Sequence, residues 1–219
     1  MLSYTEENYL KAIYKLSLQS DDGISTNAIA EKLQTKAASV SDMLKKLATK
    51  ELINYIKYKG VSLSETGTKE ALKILRKHRL WEVFLVDKLD FNWDEVHEVA
   101  EQLEHIKSPL LVKRLDAFLG YPKYDPHGDP IPSEEGTITS LKKTLLSKLN
   151  IGDVGRVVGV QDSSSVFLKY LDKINISLGM TIHITDIVEF DSSVEIKIPN
   201  SKPFIVSKEV AQNIFLAID

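Results

Sequence analysis

The spacing of apolar residues changes three times along this 219-residue chain, from helix to hairpin, back to helix and then to strands, and each change restricts the possible folds. The first third carries apolar residues three and four positions apart, the spacing of short helices. Residues 52–63 then carry β-branched and aromatic residues around Lys59-Gly60, which predicts a β-hairpin. Short helices followed by a hairpin are typical of a winged helix-turn-helix, so the chain is expected to begin with a DNA-binding fold.

The third predicted helix, residues 36–49, has the face expected to read DNA. Val40, Leu44 and Leu47 lie on one side, and polar or basic residues lie on the other. Such a face suits the major groove, and lysines of the hairpin suit phosphates. The residues predicted to contact DNA are Lys36, Ala38, Ser39, Asp42, Lys45, Lys46, Lys57 and Lys59. The alternative is a small helical domain with an ordinary lysine-rich surface.

The rest of the chain divides into a helical part and a part rich in strands. Helices are predicted at 66–86, at 93–106 and from Ser108-Pro109 to Gly120, followed by a proline-rich loop at 121–135. Strands are predicted at 154–160, 181–190 and 194–198, and helical pieces at 166–171 and 208–217. These patterns predict an α+β protein that ends in a small β-barrel.

Charge is unevenly distributed, although the net charge is only −3. Residues 36–79 contain eleven basic and four acidic side chains, whereas residues 80–140 contain five basic and thirteen acidic ones. The basic block could meet a polyanion and the acidic block could meet cations. Solvated surface alone would also explain both blocks.

Four of the five histidines fall inside or beside the acidic block, between residues 78 and 127. His78 and Glu82 are four residues apart and so share a helix face. We expect a second such face in the next helix, formed by His97, Glu101, Glu104 and His105. Imidazole and carboxylate ligands without thiolates suit Mn²⁺ or Fe²⁺, and Zn²⁺ also binds such sites. The alternative is that both faces are merely solvated.

Several function classes find no support in the sequence. Cysteine is absent, which excludes disulfides and thiolate chemistry. No apolar run approaches a membrane span, and the first residues do not form a secretory signal, so we expect a cytoplasmic protein without a membrane partner. The segment His97-Glu98-Val99-Ala100-Glu101 lacks the second histidine of a zinc protease. No phosphate-binding loop or nucleophile elbow is present, so an enzyme is not expected, although a metal-dependent hydrolase is a further alternative.

Three segments together resemble one known family. The first is Thr5-Glu6-Glu7-Asn8-Tyr9-Leu10-Lys11-Ala12-Ile13-Tyr14, the middle one consists of Arg76 to Glu82 with His97 to His105, and the last is Pro126-His127-Gly128-Asp129-Pro130-Ile131-Pro132. In this order they resemble the diphtheria toxin repressor family of metal-dependent transcription regulators, especially its three-domain manganese-responsive members. The resemblance covers essentially the whole chain.

The resemblance implies a fold, a mechanism and sites. It implies a winged helix-turn-helix at 1–72, a helical metal-binding and dimerisation domain at 73–140, and an SH3-like (FeoA-like) domain at 141–219. Metal-loaded homodimers would bind double-stranded operator DNA and repress metal-uptake genes, with one or two Mn²⁺ or Fe²⁺ ions per subunit. One implied site uses His78, Glu82 and His97, or the linker residues Asp125 and His127, with Asp162 offered by the last domain. The other implied site uses Glu101, Glu104 and His105 with Asn8 from the first helix.

Three positions bear on which metal is bound. Asn8 stands where manganese-type members usually have an acidic residue, and its amide oxygen is a weaker, neutral ligand. Glu101 stands where iron-type members have cysteine, which favours manganese. Lys11 stands where some two-domain members have a second carboxylate, which argues against a binuclear site of that form. A winged-helix regulator of an organic ligand remains the alternative function.

Overall fold

The computed structural model describes residues 2–18, 23–56, 60–138 and 143–218, and it divides into two compact units. The first comprises Met1–Arg79, Glu101–Lys113 and Pro132–Ile138. The second comprises Leu80–Ala100, Arg114–Ile131 and Thr139–Asp219. The described helices are α1 Tyr4–Ser17, α2 Thr26–Lys32, α3 Ala37–Thr49, α4 Glu65–Leu89, α5 Val96–Leu103, α6 Pro109–Phe118, α7 Ser165–Lys173 and α8 Lys208–Ala211. The described strands are β1 Ile53–Ile56, β2 Gly60–Leu63, β3 Thr144–Leu145, β4 Val154–Val160, β5 Thr181–Ile187, β6 Val194–Lys197, β7 Phe204–Val206 and β8 Ile214–Ile218.

The first unit contains the expected winged helix-turn-helix. Ser3 begins α1 with a reciprocal capping box to Glu6, and Ser25 begins α2 by accepting a hydrogen bond from the Ala28 backbone N–H. Apolar faces of α1, α2 and α3 surround a core that includes fully buried Leu10 and Leu47. The core therefore fixes which face of α3 remains outside.

The predicted hairpin is confirmed, with β1 paired antiparallel to β2. A side chain at Gly60 could not be accommodated, because a Cβ there would lie 2.0 Å from the Ile24 carbonyl oxygen. Its φ of +112° is also one that glycine tolerates better than other residues. The glycine thus permits Ile24 to pair with Val61 at the base of the wing.

The C-terminal strands of the second unit form a six-stranded antiparallel sheet in the order β3-β8-β4-β5-β6-β7. A short 3₁₀-helix, Leu146–Lys148, follows β3. Inward-facing residues of the sheet and of α7 enclose an apolar core, in which Leu168, Ile182 and Leu216 are fully buried. The expected α+β fold class is confirmed.

Two predicted elements were wrong in type or extent. The predicted helix at 208–217 is a short helix, α8, followed by strand β8, whose alternate residues Ile214 and Leu216 are buried. The helix predicted at 93–106 is shorter, because α5 ends at Leu103 and the following residues form a turn. Within the described ranges, no helix is both long enough and apolar enough to cross a bilayer.

Candidate metal centre and nucleic-acid interface

The first candidate metal group joins α4 to the proline-rich loop. Glu82, Asp125 and His127 each place one ligand atom within 4.8 Å of the others. The Nδ1 atom of His127 lies 3.7 Å from a Glu82 oxygen and 3.9 Å from an Asp125 oxygen. All three residues are buried. Two buried carboxylates around one imidazole form the kind of oxygen and nitrogen set that divalent first-row metals accept.

The electrostatics of this group favour a cation. Burial alone would lower the pKa of His127, but the carboxylates of Glu82 and Asp125 raise it to about 9. The loop itself is fixed by one Asp125 oxygen, which accepts the backbone N–H groups of His127 and Asp129 at 2.8 and 2.9 Å. His97 lies at the edge of the group, where its Nδ1 atom is 3.4 Å from Glu82. The group thus concentrates negative charge around a single imidazole nitrogen.

The second candidate group joins α1 to the turn that follows α5. Glu7 accepts a hydrogen bond from Nδ1 of His105 at 2.5 Å, across 98 residues of sequence. A metal-binding histidine commonly donates its other ring N–H to a carboxylate, so this contact presents Nε2 of His105 as the ligand atom. Asn8 Oδ1 and His105 Nε2 are buried and find no hydrogen-bond partner in the part of the chain that the structure describes. Such atoms fit a bound cation better than an empty interior.

A lysine already lies among the carboxylates of this second group. The ammonium of Lys11 is 2.5 Å from Glu104 and 2.7 Å from Glu101. Lys11 is 5% exposed and Glu104 is fully buried. His78 places Nδ1 at 2.6 Å from the other Glu104 oxygen. Burial would raise the pKa of Glu104, but His78 and Lys11 hold it below its ordinary value.

The structure brings Glu82 together with the linker residues Asp125 and His127, which is one of the two arrangements expected for the first site. His78 lies beside Glu104 in the second group, whereas Glu82 lies with Asp125 and His127 in the first. The expected single helix face of His97, Glu101, Glu104 and His105 is wrong, because Glu104 and His105 follow the end of α5.

Other predicted or overlooked residues also have defined places. Asp162 is exposed and accepts the backbone N–H of Ser164, and it belongs to neither group of described ligands. Glu7 was not singled out from the sequence, although its position beside Asn8 on α1 was the available signal. The sequence marks Lys11 only as a departure from the family that it resembles, and the role of Lys11 as a buried cation is visible only in the fold.

The predicted DNA-reading face lies on the exposed side of α3. Lys36 precedes the helix as its N-cap residue, and all the predicted α3 contacts are exposed. They are Lys36, Ala38, Ser39, Asp42, Lys45 and Lys46. Lys46 is 3.2 Å from Glu6, and Lys45 is 3.1 Å from Asp42. The predicted wing contacts Lys57 and Lys59 lie outside the described residues.

Comparison with known families matches the chain in three successive segments. Residues 1–61 match the family described as "Iron dependent repressor, N-terminal DNA binding domain". Residues 64–133 match "Iron dependent repressor, metal binding and dimerisation domain". Residues 144–218 match "FeoA domain".

Individual relatives agree with these matches. A solved structure titled "Manganese-dependent transcriptional repressor complex with manganese" is 35% identical, with a TM-score of 0.85 over 97% of this chain and 99% of that one. The "Uncharacterized HTH-type transcriptional regulator MJ0568" of Methanocaldococcus jannaschii is 36% identical over 54% of this chain and 94% of its own length. The "Iron-dependent repressor IdeR" of Mycobacterium tuberculosis is 35% identical over 58% of this chain and 55% of that protein, so the match spans little more than half of it. This chain therefore belongs to the iron-dependent repressor family, the diphtheria toxin repressor family of metal-dependent transcriptional regulators.

Proposed function

We propose that this metal-responsive repressor uses Mn²⁺ in preference to Fe²⁺ and controls metal-uptake genes by binding their operators as a homodimer. The observation that carries the proposal is the convergence of buried Glu82, Asp125 and His127 around one imidazole nitrogen. Oxygen and nitrogen ligands without sulfur suit Mn²⁺. The solved manganese-dependent repressor is similar to this chain over nearly its whole length. As a repressor acting on operator DNA, the protein would work in the cytoplasm.

Two sites per subunit are proposed. Glu82, Asp125 and His127 would hold the first ion, with His97 at its edge. Asn8, Glu104 and His105 would hold the second ion. Glu7 orients His105 by accepting the hydrogen bond from its Nδ1–H group. The role of Glu101 in the second site is limited by its ion pair with Lys11.

The second group connects metal binding to DNA binding through α1. The core of the winged helix-turn-helix includes α1 residues such as Tyr9 and Leu10, and the same helix supplies Glu7, Asn8 and Lys11. When bound, the metal supplies positive charge among these ligands, and it favours whichever arrangement of the domains it binds more tightly. The DNA-reading helix α3 packs on the same core as α1. With α1 fixed in this way, α3 would therefore be held in the arrangement that binds operator DNA.

A homodimer is supported by the surface of α6 and by DNA geometry. Leu110, Leu111 and Phe118 of this helix are exposed, and residues 64–133, which include it, match a metal binding and dimerisation domain. Two reading helices on one face of B-DNA need half-sites about 34 Å apart, which a two-fold dimer provides.

The test is DNA binding with and without metal. Duplexes selected from a random library by the Mn²⁺-loaded protein would be labelled and titrated by fluorescence anisotropy, first in chelator and then in Mn²⁺. Tight binding is expected only with Mn²⁺. Glu82→Gln and His105→Ala should abolish this stimulation, and exposed Glu189→Gln is the matched control. Metal stimulation that persists in both ligand variants would contradict the site assignment.

The alternative, a regulator of an organic ligand, has one feature in its favour. A cavity of about 250 Å³ lies in the second unit beside Asp125 and is lined largely by apolar groups, including Val157 and Leu178. Such a regulator would bind the selected duplex equally in chelator and in Mn²⁺. That result would replace the metal proposal with the organic-ligand one.

A further inference from the structure

The Trp93 backbone carbonyl determines which nitrogen of His127 faces the first metal group. The carbonyl accepts a hydrogen bond from Nε2 of His127 at 2.8 Å. With Nε2 donating, Nδ1 is the nitrogen directed at Glu82 and Asp125. Metal-binding histidines are commonly oriented by such a bond from the second ring nitrogen to a carbonyl or carboxylate. The position of Trp93 therefore affects how His127 presents its ligand atom.

Helix α7 of the C-terminal domain holds Trp93 in this position. The indole Nε1–H donates to Asp172 at 3.1 Å, and the ring packs against the core of the C-terminal sheet. The neighbouring residue, Asp94, lies 3.3 Å from the ammonium of Lys169. Lys169 and Asp172 are three residues apart on α7 and so lie on one face of it. Two adjacent residues of the α4–α5 connection are thus attached to one helix of the C-terminal domain.

The loop that carries His127 is attached to the same domain by its backbone. The carbonyl of His127 accepts the backbone N–H of Val160 in β4 at 3.3 Å. The next residue, Gly128, is so close to β4 that a Cβ there would lie 1.7 Å from the Val158 carbonyl oxygen. The rings of Trp93 and His127 are nearly parallel, with an interplanar angle of 11°. The C-terminal domain therefore contacts the main chain of one proposed ligand directly, and it reaches the ring of that ligand through Trp93.

From these contacts we infer that Trp93 is a positioning residue for His127, and that α7 sets the metal affinity of the first group through the bond from Trp93 to Asp172. The inference rests on the proposed function, since it concerns the same metal group. The C-terminal domain would act on the metal site without supplying a ligand, which differs from the role expected for Asp162. Loss of the α7 contact should loosen His127 and weaken metal binding at the first group alone.

The experiment measures Mn²⁺ binding by titration calorimetry and by the electron paramagnetic resonance of free Mn²⁺. Asp172→Ala removes the acceptor of this hydrogen bond and Trp93→Phe removes its donor. Both variants should bind Mn²⁺ about tenfold more weakly at the first group. Asp172→Asn keeps an acceptor oxygen and should restore near wild-type affinity. Lys173→Ala, at another exposed position of α7, is the matched control.

Two further measurements distinguish a loss of His127 positioning from a general destabilisation of the protein. Binding at the second group should stay unchanged in all four variants. In the metal-free protein, backbone hydrogen exchange across residues 122–131 should increase in Asp172→Ala and not in Asp172→Asn. Because Asp172 is exposed, its replacement by alanine is not expected to prevent folding.

The possible failures are distinguishable. If the wild-type protein binds no Mn²⁺, the proposed function is wrong. If it binds Mn²⁺ and both Asp172→Ala and Trp93→Phe bind it equally well, the inference is overturned and the proposed function stands. Weaker binding in Asp162→Ala, with Asp172→Ala unaffected, would also overturn it, because the C-terminal domain would then act through Asp162.

Discussion

Lys11 is a cation that the chain supplies to its own carboxylate cluster. Its ammonium lies between Glu101 and Glu104, in a position that is 5% exposed. We expect Lys11→Met to destabilise the metal-free protein by about 3 kcal/mol, because removing one partner leaves buried carboxylate charge uncompensated. Mn²⁺ should stabilise this variant more than the wild type, since a bound cation replaces the lost charge. Urea unfolding in chelator and in Mn²⁺ measures both effects.

The matched control for Lys11 is Lys32→Met, which removes an exposed lysine from α2 in the same unit. This variant should match the wild type in both conditions. Equal stabilisation of the wild type and Lys11→Met by Mn²⁺ would show that Lys11 does not serve as the resident cation.

Glu6 gives a prediction for the dependence of stability on pH. Burial alone would raise its pKa, but Lys50, the Ser3 backbone N–H and Lys46 together lower it to about 2. The charged carboxylate therefore stabilises the fold above its unfolded pKa of about 4.3, and this contribution is lost as the pH falls towards 2. Glu6→Gln keeps the capping hydrogen bond and removes the charge.

At pH 7, Glu6→Gln should be less stable than the wild type by about 1–2 kcal/mol, a value reduced because both lysines are partly exposed. The difference should shrink steadily between pH 5 and pH 2 when unfolding is followed by circular dichroism. A difference that is constant with pH would mean that the ion pairs contribute nothing. Glu51→Gln, at an exposed site, is the control.

Helix α3 carries the predicted DNA contacts on its exposed side. Lys46→Ala should weaken binding to every duplex by a similar factor, because a lysine at a phosphate reads no sequence. The slope of log affinity against log salt should fall by about one unit. Lys202→Ala, in an exposed loop of the C-terminal domain, should change neither quantity. If Lys46→Ala lost affinity for one duplex sequence alone, Lys46 would instead contact a base in that sequence.

The elements that the sequence predicted best have strong periodicity and end signals. The helices that begin at Ser3 and Ser25 have side-chain caps, and the wing has a glycine that no other residue could replace. Strand β8 was predicted as helix because a short apolar run such as Ile214–Ile218 fits both the 3.6-residue spacing of a helix and the two-residue alternation of a strand. Its place between β3 and β4 was decided by pairing with residues 54 to 72 positions earlier, from Val160↔Ile214 to Thr144↔Leu216. The residues of a short segment do not indicate which distant strands it will pair with.

Contacts between residues far apart in the sequence also decide which ligands lie together in the candidate sites. Most of the ligand types were predictable, because histidine and carboxylate recur in one acidic block. Their grouping was not, since the contact of Glu7 with His105 and that of Lys11 with Glu104 span more than 90 residues. The turn that ends α5 at Leu103 moves Glu104 and His105 off the helix face on which the sequence placed them. Helix geometry alone therefore did not predict the neighbours of Glu104 and His105.

Metal binding should be visible in the stability of the whole molecule. A ligand that binds only the folded state at about 100 times its Kd adds about 2.7 kcal/mol to the free energy of unfolding. For a protein of this size that corresponds to a rise in Tm of about 5–10 °C, measured by scanning calorimetry in chelator and in excess Mn²⁺. Mg²⁺ at the same concentration should give a much smaller rise, because it retains its waters and binds poorly to sites that contain imidazole.

Variants identify which group is responsible for the rise in Tm. Glu82→Gln should remove the part due to the first group, and His105→Ala the part due to the second. The double variant should melt at one temperature with or without Mn²⁺, because no proposed site keeps its full set of ligands. An Mn²⁺ shift in the double variant equal to that of the wild type would place the stabilising ion at neither group. A shift that survives in Glu82→Gln and vanishes in His105→Ala would leave only the site on α1 to respond to metal.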